Sequence, residues 1–308
     1  MKKPIFLILL GFSSLIYAQN KNEFTDLYGD YLGQIAPGDT PVVFAPGIIS
    51  RNGLEHGPAV FSTDGNAVYW CGRVADSQEG KIYTWYMKRI NNRWTKPEVF
   101  VPFADSVCFD PFLSNDGERL YFGADGDAGN TDIWFVEKQG DGWGKPKSIS
   151  PVVNTINGQC QATLTSDGTV YYIDYKTVNN KWTCDILRSR FKNGNYLQPD
   201  TLPVNINSSS EDWTPYIARD DSYLIFSSTK NKYGDLYISF HDIPTDTWSE
   251  PINMGATINT GTQETYPTVS PDSKYLFFTR YTNEKSSMDV YWVSAKIIDR
   301  LRKNSMKK

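Results

Sequence analysis

The chain has 308 residues, of which 14% are aromatic, and its formal net charge is −4. Nucleic-acid binding depends on Lys and Arg that neutralise phosphates, so this acidic balance argues against a nucleic-acid partner. Six basic residues lie after Ser294, which leaves the body of the chain more acidic than the total indicates. Many Tyr, Trp, Thr and Val residues, without long amphipathic helical patterns, favour a β-rich globular protein.

Residues 1–18 are typical of a cleaved signal peptide. Lys2 and Lys3 precede a mostly apolar run, and Ala18 supplies the small residue before the cleavage point. The run is too short and too interrupted for a membrane span, and no other run is long enough. The first cysteine is Cys71, which argues against a lipid anchor. We therefore expect an exported protein, periplasmic or secreted, with an N-terminal extension over residues 19–39.

A ten-residue pattern then recurs five times. The copies are FSTDGNAVYW, LSNDGERLYF, LTSDGTVYYI, IARDDSYLIF and VSPDSKYLFF. Their aligned aspartates, Asp64, Asp116, Asp167, Asp220 and Asp272, are 51–53 residues apart. A steady period of this size, with several short strands per period, predicts the blades of a β-propeller. Asp-Gly between β-forming segments predicts a hairpin turn, so the Ser-Thr-Asp run is interpreted as structural.

Each repeat continues with a second strand, a polar loop, a third strand, and a fourth strand that follows a Pro. The last repeat has no fourth strand, and "KIIDRLRKN" in its place has a helical pattern. "TPVVFAPG" at 40–47 resembles the fourth-strand segment "KPEVFVPF" at 96–103. We therefore predict an all-β, five-bladed β-propeller over residues 40–298, with four-stranded antiparallel blades. The N-terminal strand completes the last blade, and residues 299–308 form a basic tail.

The repeat boxes, followed by "DIW" at Asp132 and "DVY" at Asp289, resemble the TolB-like, WD-repeat-like β-propeller family. The resemblance covers residues 40–298. It implies the fold but does not select a function, since this family includes protein-binding scaffolds, propellers attached to peptidases and glycan-active enzymes.

The Asp turns should share one face of the disc, here called the turn face. The opposite face, here called the loop face, is built from loops that enter the first strand and leave the second. Eight residues before each aligned Asp, the repeats differ: His56, Cys108, Gln159, Asp212 and Glu264. Binding residues commonly lie on loops held by a rigid scaffold. The predicted ligand-binding residues are Glu55, His56, Arg73, Asp110, Gln161, Asp212, Trp213, Tyr266 and Arg280.

Several of these residues permit two interpretations. The candidate catalytic groups are Asp110, Asp212, Glu264, Glu55 and His56, since a glycosidase needs a carboxylate pair. The carboxylates could instead form ion pairs with Arg73 or Arg280, and His56 could be a hydrogen-bonded structural residue. Trp213 could stack on a ligand or pack between blades.

Composition limits the remaining possibilities. The four cysteines, Cys71, Cys108, Cys160 and Cys184, could form two disulfides or remain buried thiols. Their spacing matches no metal-ligand pattern, so no metal and no cofactor are expected. The sequence predicts a monomeric binding module for a protein, peptide or glycan at the loop face. The alternative is a glycan-active enzyme, a hydrolase or lyase, that uses carboxylates at the channel mouth.

Overall fold

The computed structural model describes residues 24–51, 55–73, 81–102, 107–126, 129–179, 181–282 and 287–305. Its strands form five antiparallel blades arranged in a ring, which confirms the predicted five-bladed β-propeller. Each blade is built mainly from one sequence repeat. Among the described residues, no helix is both long and apolar enough to cross a membrane.

The strands follow in chain order, and each blade begins with its innermost strand. A short strand, β1 (Val42–Val43), precedes the first repeat. Blade 1 contains β2 (Val60–Phe61), β3 (Ala67–Arg73), β4 (Ile82–Ile90), β5 (Arg93–Trp94) and β6 (Glu98–Val99). Blade 2 contains β7 (Cys108–Leu113), β8 (Arg119–Asp125), β9 (Thr131–Gln139), β10 (Gly142–Trp143) and β11 (Lys147–Ser148). Blade 3 contains β12 (Gly158–Leu164), β13 (Val170–Val178), β14 (Lys181–Ser189) and β17 (Asp200–Thr201), with a small hairpin of β15 (Phe191–Lys192) and β16 (Asn195–Tyr196).

The last two blades repeat this order. Blade 4 contains β18 (Asp212–Ile217), β19 (Tyr223–Ser228), β20 (Asp235–Asp242), β21 (Thr247–Trp248) and β22 (Ile252–Asn253). Blade 5 contains β23 (Glu264–Val269), β24 (Tyr275–Thr282) and β25 (Ser287–Ser294). Short 3₁₀ helices span Asp30–Gly33 and Thr229–Asn231, and the helix α1 spans Lys296–Ser305.

The ring closes through the N-terminal segment, as predicted. β1 pairs antiparallel with β25, with Val42 opposite Trp292 and Val43 opposite Tyr291. The first strand is therefore the outer strand of blade 5. This pairing covers an edge that would otherwise present free backbone groups.

The recurring Asp is a turn residue. The Asp64 carboxylate accepts hydrogen bonds from Ser62 Oγ at 2.6 Å and from the backbone N of Asn66 at 2.9 Å. Gly65 lies at φ 68°, a conformation that glycine adopts without strain. Burial acts to raise the pKa of Asp64, but these hydrogen bonds outweigh it and lower the pKa. Asp116, Asp167 and Asp272 repeat these contacts, so the motif organises the turn.

Aromatic side chains fill the seam between the N-terminal segment and blades 1 and 5. Phe44 is fully buried, with its ring centroid 5.0 Å from Trp292, 5.1 Å from Phe277 and 5.9 Å from Phe61. Edge-to-face contacts of this kind add to the burial of apolar area. The helical pattern of "KIIDRLRKN" is also confirmed, because α1 buries Ile297 and Ile298 in a core cluster.

Candidate functional site

The innermost strands of blades 2 to 5 share one irregularity beside the central channel. The register of each shifts near its middle, as it does between Phe109 and Phe112 in β7. A residue of each bulge has a left-handed backbone, with φ of 52° at Asp110, 58° at Gln161, 50° at Thr214 and 52° at Tyr266. A non-glycine residue in this region is strained, and bulges re-aim side chains.

These four residues occupy the same repeat position, six residues before each aligned Asp, and Pro58 holds that position in blade 1. Side chains of all five, here called the axial residues, line one small cavity in the channel. Its volume is about 30 Å³. Such a volume accommodates one or two groups the size of a water molecule.

A hydrogen-bonded chain joins most of the polar groups around the cavity. Tyr266 Oη lies 3.0 Å from His56 Nε2, and Gln161 Nε2 donates to Tyr266 Oη at 3.5 Å. The backbone N of Thr214 donates to Gln161 Oε1 at 2.8 Å. Burial, and secondarily the positive charge of Arg73, lower the pKa of His56 to about 4. The imidazole is therefore neutral at physiological pH, and its hydrogen bond to Tyr266 joins two uncharged groups.

Asp110 stands outside this chain. The residue is only 7% exposed, and its Oδ1 is buried without a hydrogen-bond partner in the described part of the chain. Its backbone N donates to Cys71 Sγ at 2.9 Å, which fixes the main chain and leaves the carboxyl unoccupied. Burial alone raises the pKa of Asp110 to about 7. The cavity therefore contains one buried carboxyl that titrates close to neutral pH.

Two of the predicted catalytic carboxylates organise loops. Asp212 accepts from the backbone N of Ser208 at 2.8 Å, and Glu264 accepts from that of Thr260 at 3.1 Å. Gln159 accepts from the backbone N of Thr155 at 2.9 Å in the same way. In each blade the acceptor lies four residues after the donor, so the role is repeated. Asp212 and Glu264 are at most 1% exposed, which removes them from the surface of the channel mouth.

The sequence did not predict a role for the residue that directly precedes each of these donors, which is an Asn in all three blades. Asn259 accepts from the backbone N of Leu236 at 2.9 Å and donates to its carbonyl at 3.0 Å. Asn154 and Asn207 bond to Ile133 and Ile186 in the same way. These Asn side chains form a clip, here called the Asn clip, between the loop and the third strand of the preceding blade. A sequence pattern could have indicated it: an Asn followed by Thr or Ser, five residues before Gln, Asp or Glu.

Two further predicted binding residues are paired or packed away. Arg280 Nε lies 3.0 Å from Glu264 Oε1, so one is the counter-ion of the other. Trp213 is only 9% exposed, and its Nε1 donates to Thr265 Oγ1 at 3.2 Å. Trp213 thus packs between blades 4 and 5.

Blade 1 contributes another buried pair and an exposed arginine. Glu55 is 2% exposed and lies 3.6 Å from Arg51 Nε. Burial raises the pKa of Glu55 to about 7 even though Arg51 acts to lower it. Arg73 is exposed at the end of β3, near enough to His56 for its charge to act on the imidazole. Of the predicted site residues, His56, Asp110, Gln161 and Tyr266 are thus the ones grouped at the axis.

The four cysteines are present as thiols. All four cysteines are free and buried, so the two disulfides that their number allows are not formed. In the described ranges, no group of three or more His, Cys, Asp or Glu side chains is placed to hold a metal ion. Among the described residues, the axial cavity and its nearest neighbours therefore offer one carboxyl, neutral hydrogen-bonding groups and buried thiols.

Comparison with known proteins supports the fold. No family model matches the chain, and no curated relative does. A putative TolB from Agrobacterium tumefaciens superposes with a TM-score of 0.54 at 14% identity, over 79% of this chain and 77% of that one. A thermostable family-43 glycoside hydrolase superposes with a TM-score of 0.51 at 12% identity, over 77% of this chain and 88% of that one. At such identities the likeness concerns the fold alone, and the chain folds as a TolB-like five-bladed β-propeller.

Proposed function

We propose that this chain is an exported binding module that recognises a protein, peptide or glycan at the loop face around the central channel. One observation carries the proposal. Four of the innermost strands adopt the same strained bulge, yet the residue that each bulge turns toward the channel differs. A repeated backbone that presents non-repeated side chains is what a recognition surface needs, because the scaffold fixes position while the side chains set specificity.

A glycan-active enzyme is the second candidate, and Asp110 is the observation that favours it. A buried carboxyl with a pKa raised to about 7 suits a general acid. Glycoside hydrolysis also needs a second carboxylate close by. No second described carboxylate contributes to the pKa of Asp110, and Asp212 and Glu264 are engaged with their own loops. These contacts favour the binding module over the enzyme.

The proposal is tested by a thermal-shift screen of peptides and oligosaccharides on the mature chain. Hits are titrated against Gln161→Ala, which alters the channel, and Trp182→Ala, which removes an exposed ring at the start of β14. Asp64→Asn on the turn face is the matched control. We expect weaker binding by one or both loop-face variants and unchanged binding by the control. A ligand whose affinity changes only in the turn-face variant would overturn the proposal.

The same screen decides between binder and enzyme. Each oligosaccharide that shifts the melting temperature is incubated with the chain, and its products are analysed by chromatography. Turnover by the wild type that is lost in Asp110→Asn would establish the enzyme. A shift without turnover supports the binding module.

A further inference from the structure

The axial residues contain a single ionisable carboxyl. Pro58 is apolar, and Gln161, Thr214 and Tyr266 belong to the hydrogen-bonded chain. Asp110 lines the same cavity, and its Oδ1 is buried without a hydrogen-bond partner among the described residues. A buried charge without a partner is destabilising, so the free protein holds this carboxyl at a free-energy cost that a suitable ligand would relieve.

The groups around Asp110 do not supply that partner. Its charge acts on Cys71, Cys160, Tyr175 and Tyr266, in each case helping to raise the pKa of a group that burial already keeps neutral. The imidazole of His56, bonded to Tyr266, is neutral as well. No ion pair joins Asp110 to another described residue. The cavity therefore lacks a positive charge that would pair with the carboxylate of Asp110.

The size of the cavity restricts the cation. A volume of about 30 Å³ suits one compact group better than the planar, extended guanidinium of arginine. A divalent metal would need several protein ligands, and the described residues offer no such cluster. An ammonium group has three N–H donors on one atom, and the oxygens of Asp110, Gln161 and Tyr266 on the cavity wall are possible acceptors.

We propose that the axial cavity binds a primary ammonium group, the end of a lysine side chain or of an amino sugar, with Asp110 as its counter-ion. This inference rests on the proposed function, because it names the ligand chemistry of the same loop face. The ammonium enters the channel, and the carboxylate, whose Oδ1 has no donor among the described residues, accepts its hydrogen bond.

The test is a thermal-shift titration of the mature chain with methylammonium chloride. Potassium chloride at equal ionic strength controls for screening. Tetramethylammonium chloride controls for charge without N–H donors. Asp110→Asn is the informative variant, because Asn keeps the shape of the side chain and tolerates the left-handed backbone. Asp64→Asn, on the turn face, is the matched control.

We expect methylammonium alone to raise the melting temperature of the wild type and of Asp64→Asn. Asp110→Asn should lose about tenfold or more in affinity, as expected when a charged acceptor is lost. An equal response to potassium or tetramethylammonium would overturn the proposal. An equal methylammonium affinity in Asp110→Asn would also overturn it.

The pH dependence gives a second readout. An ammonium ion needs the ionised carboxylate, and the pKa of Asp110 in the free chain is about 7. Apparent affinity should therefore rise about tenfold from pH 5 to pH 6 and level off above about pH 8. An affinity independent of pH over this range contradicts a role for Asp110.

Two further probes distinguish the sources of the ammonium group. Nα-acetyl-lysine methylamide represents a protein, glucosamine represents an amino sugar, and N-acetylglucosamine is the uncharged control. Stronger binding of one amine identifies the source. A loop-face ligand from the wider screen that binds Asp110→Asn as tightly as wild type overturns the ammonium assignment and leaves the binding module intact. If methylammonium binding depends on Asp110 but the wider screen finds no loop-face ligand, the result supports the axial ammonium site and counts against the proposed binding module.

Discussion

Tyr266 Oη and His56 Nε2 lie 3.0 Å apart and join the innermost strand of the last blade to the segment that enters the first. The two residues are 210 positions apart in the chain. Their contact lies beside the axis, where β1 plays no part, so it is a second link across the ring closure. The bond is partly buried, so its loss has a stability consequence that can be measured.

Tyr266→Phe should destabilise the protein by about 1 kcal/mol, because it removes a hydrogen bond to the partly buried imidazole of His56. The measurement is the free energy of unfolding in urea near pH 7.5. Tyr233→Phe, at a half-exposed ring, is the matched control and should change stability little. A Tyr266→Phe variant as stable as the control would show that water replaces the hydroxyl.

His56 should also make the stability of the folded protein sensitive to acid. Its pKa in the folded chain, about 4, is below the ordinary value of 6.5, so the stability linked to it is present above pH 6.5. That stability is lost as the pH falls from about 6.5 to 4, because the unfolded state binds the proton first. The wild type should therefore lose stability relative to His56→Gln as the pH falls through this window, while the opposite contribution of Asp110 is common to both proteins and cancels. Identical slopes in variant and wild type would contradict a buried neutral imidazole.

Asp110→Asn should have the opposite dependence on pH. The pKa of Asp110 is raised from 3.8 to about 7, so the wild type loses stability as the pH rises through this interval. The variant removes the unpaired charge and should be more stable than wild type by about 2–4 kcal/mol at pH 8, with little difference at pH 4. Urea unfolding at the two pH values checks this. Asp64→Asn, which loses accepted hydrogen bonds, should not be stabilised at either pH.

Removal of the Asn clip should lower stability, with the effect located at one contact between blades. Asn259→Ala removes an acceptor and a donor that satisfy the buried backbone of Leu236 and should cost about 1–3 kcal/mol. Asn195→Ala, at the exposed first residue of β16, is the control. Hydrogen exchange should locate the effect at the amide of Leu236. Unchanged protection there would show that the clip contributes nothing to the blade contact.

The sequence predicted those features of the molecule that short, contiguous stretches of residues encode. The Asp-Gly turns and the 51–53-residue period are local and repeated, so they predicted the blades and the ring closure. The function of a buried carboxylate is not local. Asp110 and Asp212 belong to the same candidate set in the sequence. In the structure Asp212 holds a loop, whereas Asp110 lines the channel cavity with its Oδ1 unpartnered among the described residues. A left-handed non-glycine residue also has no sequence marker, which is why the bulges became apparent only in three dimensions.

His241 lies on the turn face, between blades 3 and 4. Its Nδ1 is 3.1 Å from Asp221 Oδ2 and its Nε2 is 3.0 Å from Asp246 Oδ1, while the ring stacks on Trp248 at 4.2 Å. Burial acts to lower the pKa of His241, but the bonds to Asp221 and Asp246 outweigh it and raise the pKa.

A His whose pKa is raised by folding stabilises the folded state below the unfolded value of 6.5 and loses that contribution as the pH rises through its folded pKa. His241→Gln should therefore reduce the melting temperature most near pH 5.5 and least near pH 9. Measuring both proteins across that range isolates the imidazolium from Asp110, whose effect is common to both. A difference between variant and wild type that stayed constant with pH would mean that His241 contributes by stacking on Trp248 alone.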